Sequence, residues 1–357
     1  MTGTREGWRP LGSARDAVSR YLGLGLRRRG REEEEEEEEA VAVAGPSPTL
    51  LEPKVASALV ALMGAPLLPP RIGPGPPPPT EAVPHCRQRD TWDCGVACVQ
   101  MVLGWLRRDG RGGGDRWGSP PSPPSRADLV ARQDLLGLLG TRSIWTVDLL
   151  YLLLGEGPDA DADADADAGA AGAPPARYLM CSSRLGVDSS YRAYGYYEKA
   201  FASDEARVTR RFAAASEKGW PMAETAGPGR LDAATVAGVV ARAGCVAIVL
   251  VDQSILEPPE PPEPASGQEG DGTTAADGGS WNSKKKYAGH YVVICGISTD
   301  AAEIAEASGA ASDAPSYCFA VKNPAKDRAT DFVAPALLER AWRADGTDDD
   351  IIFCCRE

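Results

Sequence analysis

The sequence predicts an α+β fold in which N-terminal helices pack on an antiparallel sheet. Helical periodicity comes first along the foldable part of the chain, and short β-branched runs follow it. A repeated βαβ alternation, which would indicate a doubly wound sheet, is absent. This order of elements is typical of an α+β layer architecture.

The first predicted helix begins at Cys94 and ends near Arg108, because apolar residues recur there at spacings of three and four. A second helix, almost wholly apolar, is expected over 147–154, with Ser143 or Thr146 as its N-cap. Further helices are expected from residue 203, over 231–244 and near 337–344.

Five short apolar runs have the composition of buried strands. The clearest is Cys-Val-Ala-Ile-Val-Leu-Val at 245–251, which is continuous and rich in β-branched residues. The other predicted strands are 178–181, 291–297, 317–321 and 351–355. In the last of these, Cys354 and Cys355 are adjacent, so their side chains should point to opposite faces of the sheet.

Three stretches lack the composition of a packed core. Residues 1–83 contain eight consecutive glutamates and a proline-rich run, and we expect a disordered, low-complexity region. We expect disordered insertions near 157–175, which contains an Asp-Ala repeat, and near 257–286, which is rich in Pro, Glu, Gly and Asp. One globular domain of ordinary size remains, over residues 84–356.

The net charge of −13 belongs to these tracts. The eight glutamates and the five aspartates of the repeat account for all of it, so the remainder of the chain is close to neutral. No basic face for a nucleic acid is indicated, and we do not expect a nucleic-acid partner.

Nine cysteines, several of them inside apolar runs, are typical of buried thiols in a reducing compartment. No apolar stretch reaches the length of a bilayer span, so no membrane partner is expected. These features favour a cytoplasmic protein. An organelle transit peptide in the Arg-rich start of the chain is the alternative.

The segment Gln-Arg-Asp-Thr-Trp-Asp-Cys-Gly, which contains Cys94 at the start of the first helix, predicts a reactive thiol. A helix N-terminus favours the thiolate, and a histidine base would complete the activation. The chain has only two histidines, His85 and His290. His290 begins a strand, where a base can be held rigidly, so we favour His290 over His85.

Two further side chains complete a candidate thiol site. Asn323, followed by Pro324, can accept a hydrogen bond from the His290 imidazole and fix its tautomer. Gln88, six residues before Cys94, can donate its amide to an oxyanion. Each feature has a structural alternative, since a single Cys, a single His or an Asn-Pro is more often a packed residue or a turn.

Other chemistries are less well supported. Cys94 and Cys98 share a helix face, but four ligands at zinc spacing cannot be found, so we expect no metal site and no cofactor at the thiol. The glycines of 110–115 lack the Lys-Ser/Thr of a phosphate-binding loop.

Seven blocks of sequence resemble the guanylyl cyclase domain-containing family, which includes plant soluble guanylyl cyclase-like proteins. They run in family order at residues 91–103, 141–149, 185–188, 246–251, 289–293, 323–325 and 346–352. The resemblance implies a C39-type, papain-like peptidase fold, with the catalytic positions falling on Cys94, His290 and Asn323 and the oxyanion glutamine on Gln88.

The resemblance also implies a choice of function. A thiol hydrolase or acyl-transfer site would act on a protein or peptide substrate. A cyclase would convert GTP to cyclic GMP with Mg²⁺ or Mn²⁺ held by two carboxylates. Asp252 and Asp300 are candidates for those carboxylates only by their position at strand ends, where they could equally cap loops. A non-catalytic interaction module that retains the pocket is the third hypothesis.

Overall fold

The computed structural model describes residues 51–64, 83–109, 131–155, 176–193, 201–227, 230–242, 244–257, 287–308 and 315–356. The predicted insertion near 157–175 and residues 258–286 lie outside these ranges, as do residues 1–50 and 65–82. The side chains of residues 108, 109 and 193 are not described either.

The helices of the described ranges are α1 (Pro53–Met63), α2 (Cys94–Asp109), α3 (Arg132–Leu139), α4 (Thr146–Leu154), α5 (Phe201–Glu217), α6 (Ala233–Val240), α7 (Gln253–Leu256), α8 (Ala301–Ser308) and α9 (Pro335–Trp342). A 3-10 turn spans Ser189–Ala193. The strands are β1 (Ala176–Ser182), β2 (Met222–Glu224), β3 (Cys245–Asp252), β4 (Gly289–Ser298), β5 (Cys318–Lys322), β6 (Asp331–Val333) and β7 (Ile351–Arg356). All five predicted strands and all five predicted helices are confirmed.

The strands form one seven-stranded sheet in the order β2-β1-β7-β3-β4-β5-β6. Its pairs are antiparallel except at the edge, where β1 and β2 are parallel. The sheet is therefore mixed, and the prediction of an antiparallel sheet is wrong at this one pair. Sequence reasoning missed β2 and β6 because three residues are too few to show a strand period.

Helices cover both faces of the sheet, which makes the domain α+β with a central sheet layer. One apolar cluster joins α2, α3, α4 and α5 to residues such as Val293 and Ile352. The other joins α1, α6 and α9 to the alternate residues, such as Val292 and Ile351. This alternation is the two-residue period of a sheet buried on both sides. The predicted packing of N-terminal helices on the sheet therefore describes one face, and the helices on the other face add a third layer.

Helix α1 corrects the prediction for residues 1–83. Its buried residues Val55, Leu59 and Leu62 recur at three- and four-residue spacing and pack in the second apolar cluster, beside β1 and β2. Residues 51–64 therefore belong to the folded domain, although they lie in a low-complexity region.

The N-terminus of α4 differs from the prediction. Trp145 is the N-cap residue, and its amide donates to the Asp148 carboxylate at 2.9 Å. Asp148 is fully buried and is ion-paired with Arg207 and Arg211. Neither Ser143 nor Thr146 caps the helix. The Thr146 hydroxyl instead bonds to the carboxylate of Asp350.

The cysteines occupy both faces of the sheet. Cys354 and Cys355 point to opposite apolar clusters, as predicted. Cys245 and Cys355 are cross-strand partners joined by a disulfide, so the expectation of free buried thiols is wrong for this pair. The other seven cysteines are free, and all but Cys86 are buried.

Candidate active site

Cys94 is the first residue of α2, and 6% of its surface is exposed. Burial raises the pKa of the Cys94 thiol above its usual value. The backbone amide of Tyr291 opposes this effect, together with the amides of Gly95 and of Cys94 itself, because each amide stabilises the thiolate. The sulfur therefore lies where the helix N-terminus meets the first residues of β4.

Asp93, which sequence reasoning did not select, fixes the loop before Cys94. Its carboxylate accepts from the backbone amides of Arg89 and Asp90, at 3.1 and 2.9 Å, and from Arg132 Nε at 2.6 Å. Its carbonyl accepts the first helical hydrogen bond, from Ala97. Because Asp93 is buried, these bonds hold the start of α2 at a fixed position.

His290, the second residue of β4, is hydrogen-bonded to Asn323, which follows β5. Its Nε2 lies 2.8 Å from Asn323 Oδ1. Burial lowers the pKa of His290, and the bond to Asn323 and the charge of Glu257 oppose that effect only in part. The imidazole is therefore neutral at neutral pH.

The amide of Asn323 has a fixed orientation, and this orientation sets the tautomer of His290. Asn323 Oδ1 also accepts from the Ala325 amide at 2.9 Å, and Nδ2 donates to Glu257 Oε1 at 2.9 Å. Oδ1 is thus the acceptor, so His290 Nε2 carries the proton. The lone pair of the neutral ring is then on Nδ1.

Glu257 is a site residue that sequence reasoning missed. It was assigned to the start of the acidic insertion, but it follows α7 directly and forms an ion pair with Lys326 at 2.7 Å. Its carboxylate connects Lys326 to Asn323. No local pattern indicated this role, because the partners lie more than 60 residues away in the chain.

The segment from His85 to Gln88 runs along the Asn323–Pro324 loop. His85 Nε2 is 3.0 Å from the Asn323 carbonyl, and the Gln88 amide donates to the Pro324 carbonyl at 2.9 Å. His85 Nε2 therefore donates a hydrogen bond to a backbone carbonyl. This bond gives His85 a structural role and is consistent with the choice of His290 as the base.

The Gln88 side chain is not directed at an oxyanion site in this conformation. Its Nε2 donates to the carbonyl of Asp90 at 3.0 Å, and its Oε1 is buried without a hydrogen-bond partner. A role as oxyanion donor requires the side chain to rotate, and it stays a prediction.

The structure brings Cys94, His290 and Asn323 to one end of the sheet. His290 and Asn323 are in direct contact, and Tyr291, the neighbour of His290, contacts the thiol through its amide. Within the described residues, no hydrogen bond joins Cys94 to His290. Catalytic hydrogen bonds are often long in a substrate-free site and shorten when the substrate is bound.

The two aspartates considered for a cyclase lie at opposite ends of the sheet. Asp252 ends β3, pairs with Gly289 at the start of β4, and accepts from the Ser254 amide. Asp300 follows the far end of β4 and caps α8. Strand β4 has 10 residues, which corresponds to about 30 Å, so the two carboxylates cannot share a metal ion. Both are caps.

A small pocket lies beside Tyr291. It is lined by Ile144, Trp145, Thr146, Leu250, Tyr287, Gly289, Tyr291, Gly346, Asp348 and Asp350. Tyr291 belongs to both sites, since its amide contacts the Cys94 thiol. Among the described residues no group of three or more His, Cys, Asp or Glu side chains is placed to hold a metal ion, and no described helix is long and apolar enough to cross a bilayer.

The architecture and this site define an α+β protein with a cysteine, a histidine and an asparagine at one sheet end. The chain matches the model of a family described as guanylylate cyclase over residues 128–354, more than half of its length, and therefore belongs to that family. Cys94 and Gln88 precede the matched region, whereas His290 and Asn323 lie inside it.

A curated relative is similar along most of the chain. Guanylyl cyclase 1 of Arabidopsis thaliana is 26% identical over 274 residues, which cover 76% of this chain and 74% of the relative. No solved structure matches the chain.

Proposed function

We propose that the protein is a thiol hydrolase or acyl transferase with Cys94 as nucleophile and His290 as base. The observation that carries the proposal is the 2.8 Å bond between His290 Nε2 and Asn323 Oδ1. This bond directs the proton to Nε2 and leaves Nδ1 as the basic nitrogen, at the strand end whose next amide contacts the Cys94 thiol.

The reaction follows from these positions. The thiol proton moves to His290 Nδ1 as Cys94 Sγ bonds to a carbonyl carbon of the substrate, and the π electron pair moves to the carbonyl oxygen. The Cys94 amide at the start of α2 can donate to that oxyanion. The bond to the leaving group then breaks, and the imidazolium protonates the leaving group. Water or another acceptor attacks the thioester and returns the thiol.

The protonation states suit general-base catalysis. Because burial lowers the pKa of His290, the ring is unprotonated at neutral pH and can accept a proton. Because burial raises the pKa of Cys94, the thiol keeps its proton until the base removes it. A resting thiolate–imidazolium pair is not part of the proposal.

Alkylation by iodoacetamide at pH 7.5 tests the proposal when it is quantified at Cys94 by mass spectrometry. The Cys86→Ser protein is the background, because Cys86 is the one free thiol of the described residues that is not buried. We expect alkylation at Cys94, loss of that adduct in Cys94→Ser, and a rate at least about tenfold lower in His290→Ala.

The matched controls are Cys98→Ser and His85→Ala. Cys98 is fully buried one helical turn away, and His85 contacts the same asparagine through its carbonyl, so neither change should alter the Cys94 rate. Equal alkylation of Cys94 in the background protein and in His290→Ala would disprove the assignment of the base.

Guanylyl cyclase activity is the second candidate, favoured by the name of the Arabidopsis relative. It would require Mg²⁺ or Mn²⁺ and a site for a triphosphate. Asp348 and Asp350 line the same pocket, and burial raises the pKa of both, to about 6 for Asp348. No third His, Cys, Asp or Glu of the described residues joins them in a group that could hold a metal ion, so the pair offers few ligands for Mg²⁺ or Mn²⁺.

Cyclic GMP formation from GTP with Mg²⁺ or Mn²⁺ tests the second candidate, with heat-denatured protein as the control. Product that persists in Cys94→Ser would support a cyclase independent of the thiol. Product no higher than in the denatured control would exclude it.

A further inference from the structure

The pocket beside Tyr291 has one side formed by residues with hydroxyl and carboxyl groups. We call it the acid pocket and define it by Thr146, Tyr287, Tyr291, Asp348 and Asp350. It encloses about 20 Å³, which is room for one water-sized group. Two aspartates therefore border a space too small for a nucleobase or a guanidinium.

Asp350 is buried, and only one of its two carboxylate oxygens has a hydrogen-bond partner. Its residue exposure is 8%, and its Oδ2 accepts from the Thr146 hydroxyl. Its Oδ1 is buried with no hydrogen-bond partner. The nearby Ser182 hydroxyl donates instead to the carbonyl of Arg184, at 2.7 Å. A buried carboxylate oxygen without a donor is costly, so the site lacks a group that would supply one.

The charge of the acid pocket is not neutralised by the protein. Within the described residues, no ion pair includes Asp348 or Asp350. The neighbouring Asp349 pairs with Arg230, and Arg184, whose charge lowers the pKa of Asp348, is ion-paired with Asp188 at 3.0 Å. The carboxylate of Asp348 accepts a bond from a neutral group, the Tyr191 hydroxyl, at 2.8 Å. The missing partner is therefore a cation that donates hydrogen bonds.

We propose that the acid pocket binds a primary ammonium group of the substrate. A single ammonium is the size of a water molecule and has three N–H donors, enough for Asp350 Oδ1 and Asp348 together. The aromatic side chains of Trp145, Tyr287 and Tyr291 border the same space, and aromatic faces attract cations. Phosphates and other anions are repelled by the two carboxyl groups.

The acid pocket is joined to the thiol by direct contacts. A methyl group at Gly95 would lie 3.1 Å from Tyr291 Cδ2, so the Tyr291 ring packs against the residue after Cys94. The Tyr291 hydroxyl is 2.9 Å from Thr146 Oγ1, and this oxygen donates to Asp350. Resting on the proposed thiol chemistry, the inference names its substrates: acyl compounds with a primary amine close to the scissile carbonyl.

Ligand binding to the full-length Cys94→Ala protein tests the inference without any thiol reaction. The probes are norleucinamide, which has an α-amine, Nα-acetyl-lysinamide, which has a side-chain amine, and Nα-acetyl-norleucinamide, which has neither. Calorimetry should show at least one amine probe binding at least about tenfold more tightly than the neutral probe. The tighter of the two identifies the source of the ammonium, a chain terminus or a lysine.

The matched variants are Asp350→Asn and Asp349→Asn. The first should abolish the preference for the amine, and the second should keep it, because Asp349 is already paired with Arg230. If circular dichroism shows that Asp350→Asn is unfolded, Asp348→Asn takes its place.

Amine probes that bind no more tightly than the neutral probe would overturn the inference, as would equal binding by Asp350→Asn and Asp349→Asn. Guanosine binding that Asp350→Asn abolishes would overturn it too and assign the acid pocket to a nucleobase. Because the protein tested lacks the thiol, failure of the thiol chemistry and failure of ammonium binding are separate results.

Discussion

The backbone amide of Tyr291 points at the sulfur of Cys94. This contact ties the start of α2 to the start of β4 and so places the thiol beside the strand end that carries His290. The same tyrosine reaches the acid pocket through its hydroxyl. One residue thus connects the candidate nucleophile to the candidate substrate-binding group.

The close approach of α2 to β4 depends on Gly95. An added methyl group would lie 2.9 Å from Leu149 Cδ2 and 3.1 Å from Tyr291 Cδ2. We expect Gly95→Ala to destabilise the protein by about 1–3 kcal/mol through overpacking. Urea unfolding measures this. Gly137→Ala is the control, because it has open space within α3 and should be neutral or stabilising by about 1 kcal/mol. Equal effects of the two changes would contradict the packing described.

Asn323 should stabilise the fold around the site as well as orient the His290 imidazole. It is 1% exposed, and its side chain bonds His290, Ala325 and Glu257. We expect Asn323→Ala to cost about 1–3 kcal/mol in the free energy of unfolding, since it leaves buried polar partners unsatisfied.

Asp327→Ala is the control for Asn323→Ala. The Asp327 side chain lies nearby but is 82% exposed, and its ion pair with Arg87 is at the surface. We expect a change within about 0.5 kcal/mol. A loss for Asn323→Ala no greater than that of the control would refute the role assigned to the asparagine.

The acid pocket should make the folded protein less stable as the pH rises. Burial raises the pKa of Asp348 from 3.8 to about 6; Asp188 and Asp349 add to the shift, and Tyr191 and Arg184 oppose it. The folded state therefore binds a proton that the unfolded state has lost, and the stability this provides is lost as the pH rises from about 4 to about 6. Asp350, whose pKa is also raised, acts in the same direction.

Asp348→Asn should remove this loss and raise the free energy of unfolding at pH 7 by on the order of 1 kcal/mol. Asparagine can still accept from Tyr191, and it tolerates the left-handed backbone at this position, where φ is 51°. Asp349→Asn should destabilise instead, because it loses its pairing with Arg230. Urea midpoints between pH 4 and pH 8 test both, and a neutral or destabilising Asp348→Asn would count against the acid pocket.

Sequence patterns predicted the parts of the site that depend on local structure. Cys94 could be placed at a helix start because the apolar period begins there, and His290 at a strand end because an apolar run follows it. Chain order then indicated Asn323, and the structure places it against His290.

The rest of the site depends on long-range contacts that no local pattern carries. Glu257 belongs by composition to an acidic insertion, and only its contacts with Asn323 and Lys326 show its position in the fold. Asp348, Asp349 and Asp350 are consecutive, and the sequence gives no sign that their side chains have different partners. Left-handed backbone at the first two separates Asp349, which pairs with Arg230, from Asp348 and Asp350, which line the acid pocket. Helix α1 was not predicted because the sequence around it has a low-complexity composition.

Formation of an acyl-enzyme is the most direct test of Cys94 as the nucleophile and His290 as the base. The Cys86→Ser protein is mixed with the p-nitrophenyl ester of Nα-acetyl-lysine, and the intact mass and modified residue are determined within seconds. This assignment of roles predicts an acyl adduct on Cys94 together with release of p-nitrophenolate, and loss of both in His290→Ala. An adduct on Cys94 that forms equally fast in His290→Ala, or acylation that bypasses Cys94, would contradict it.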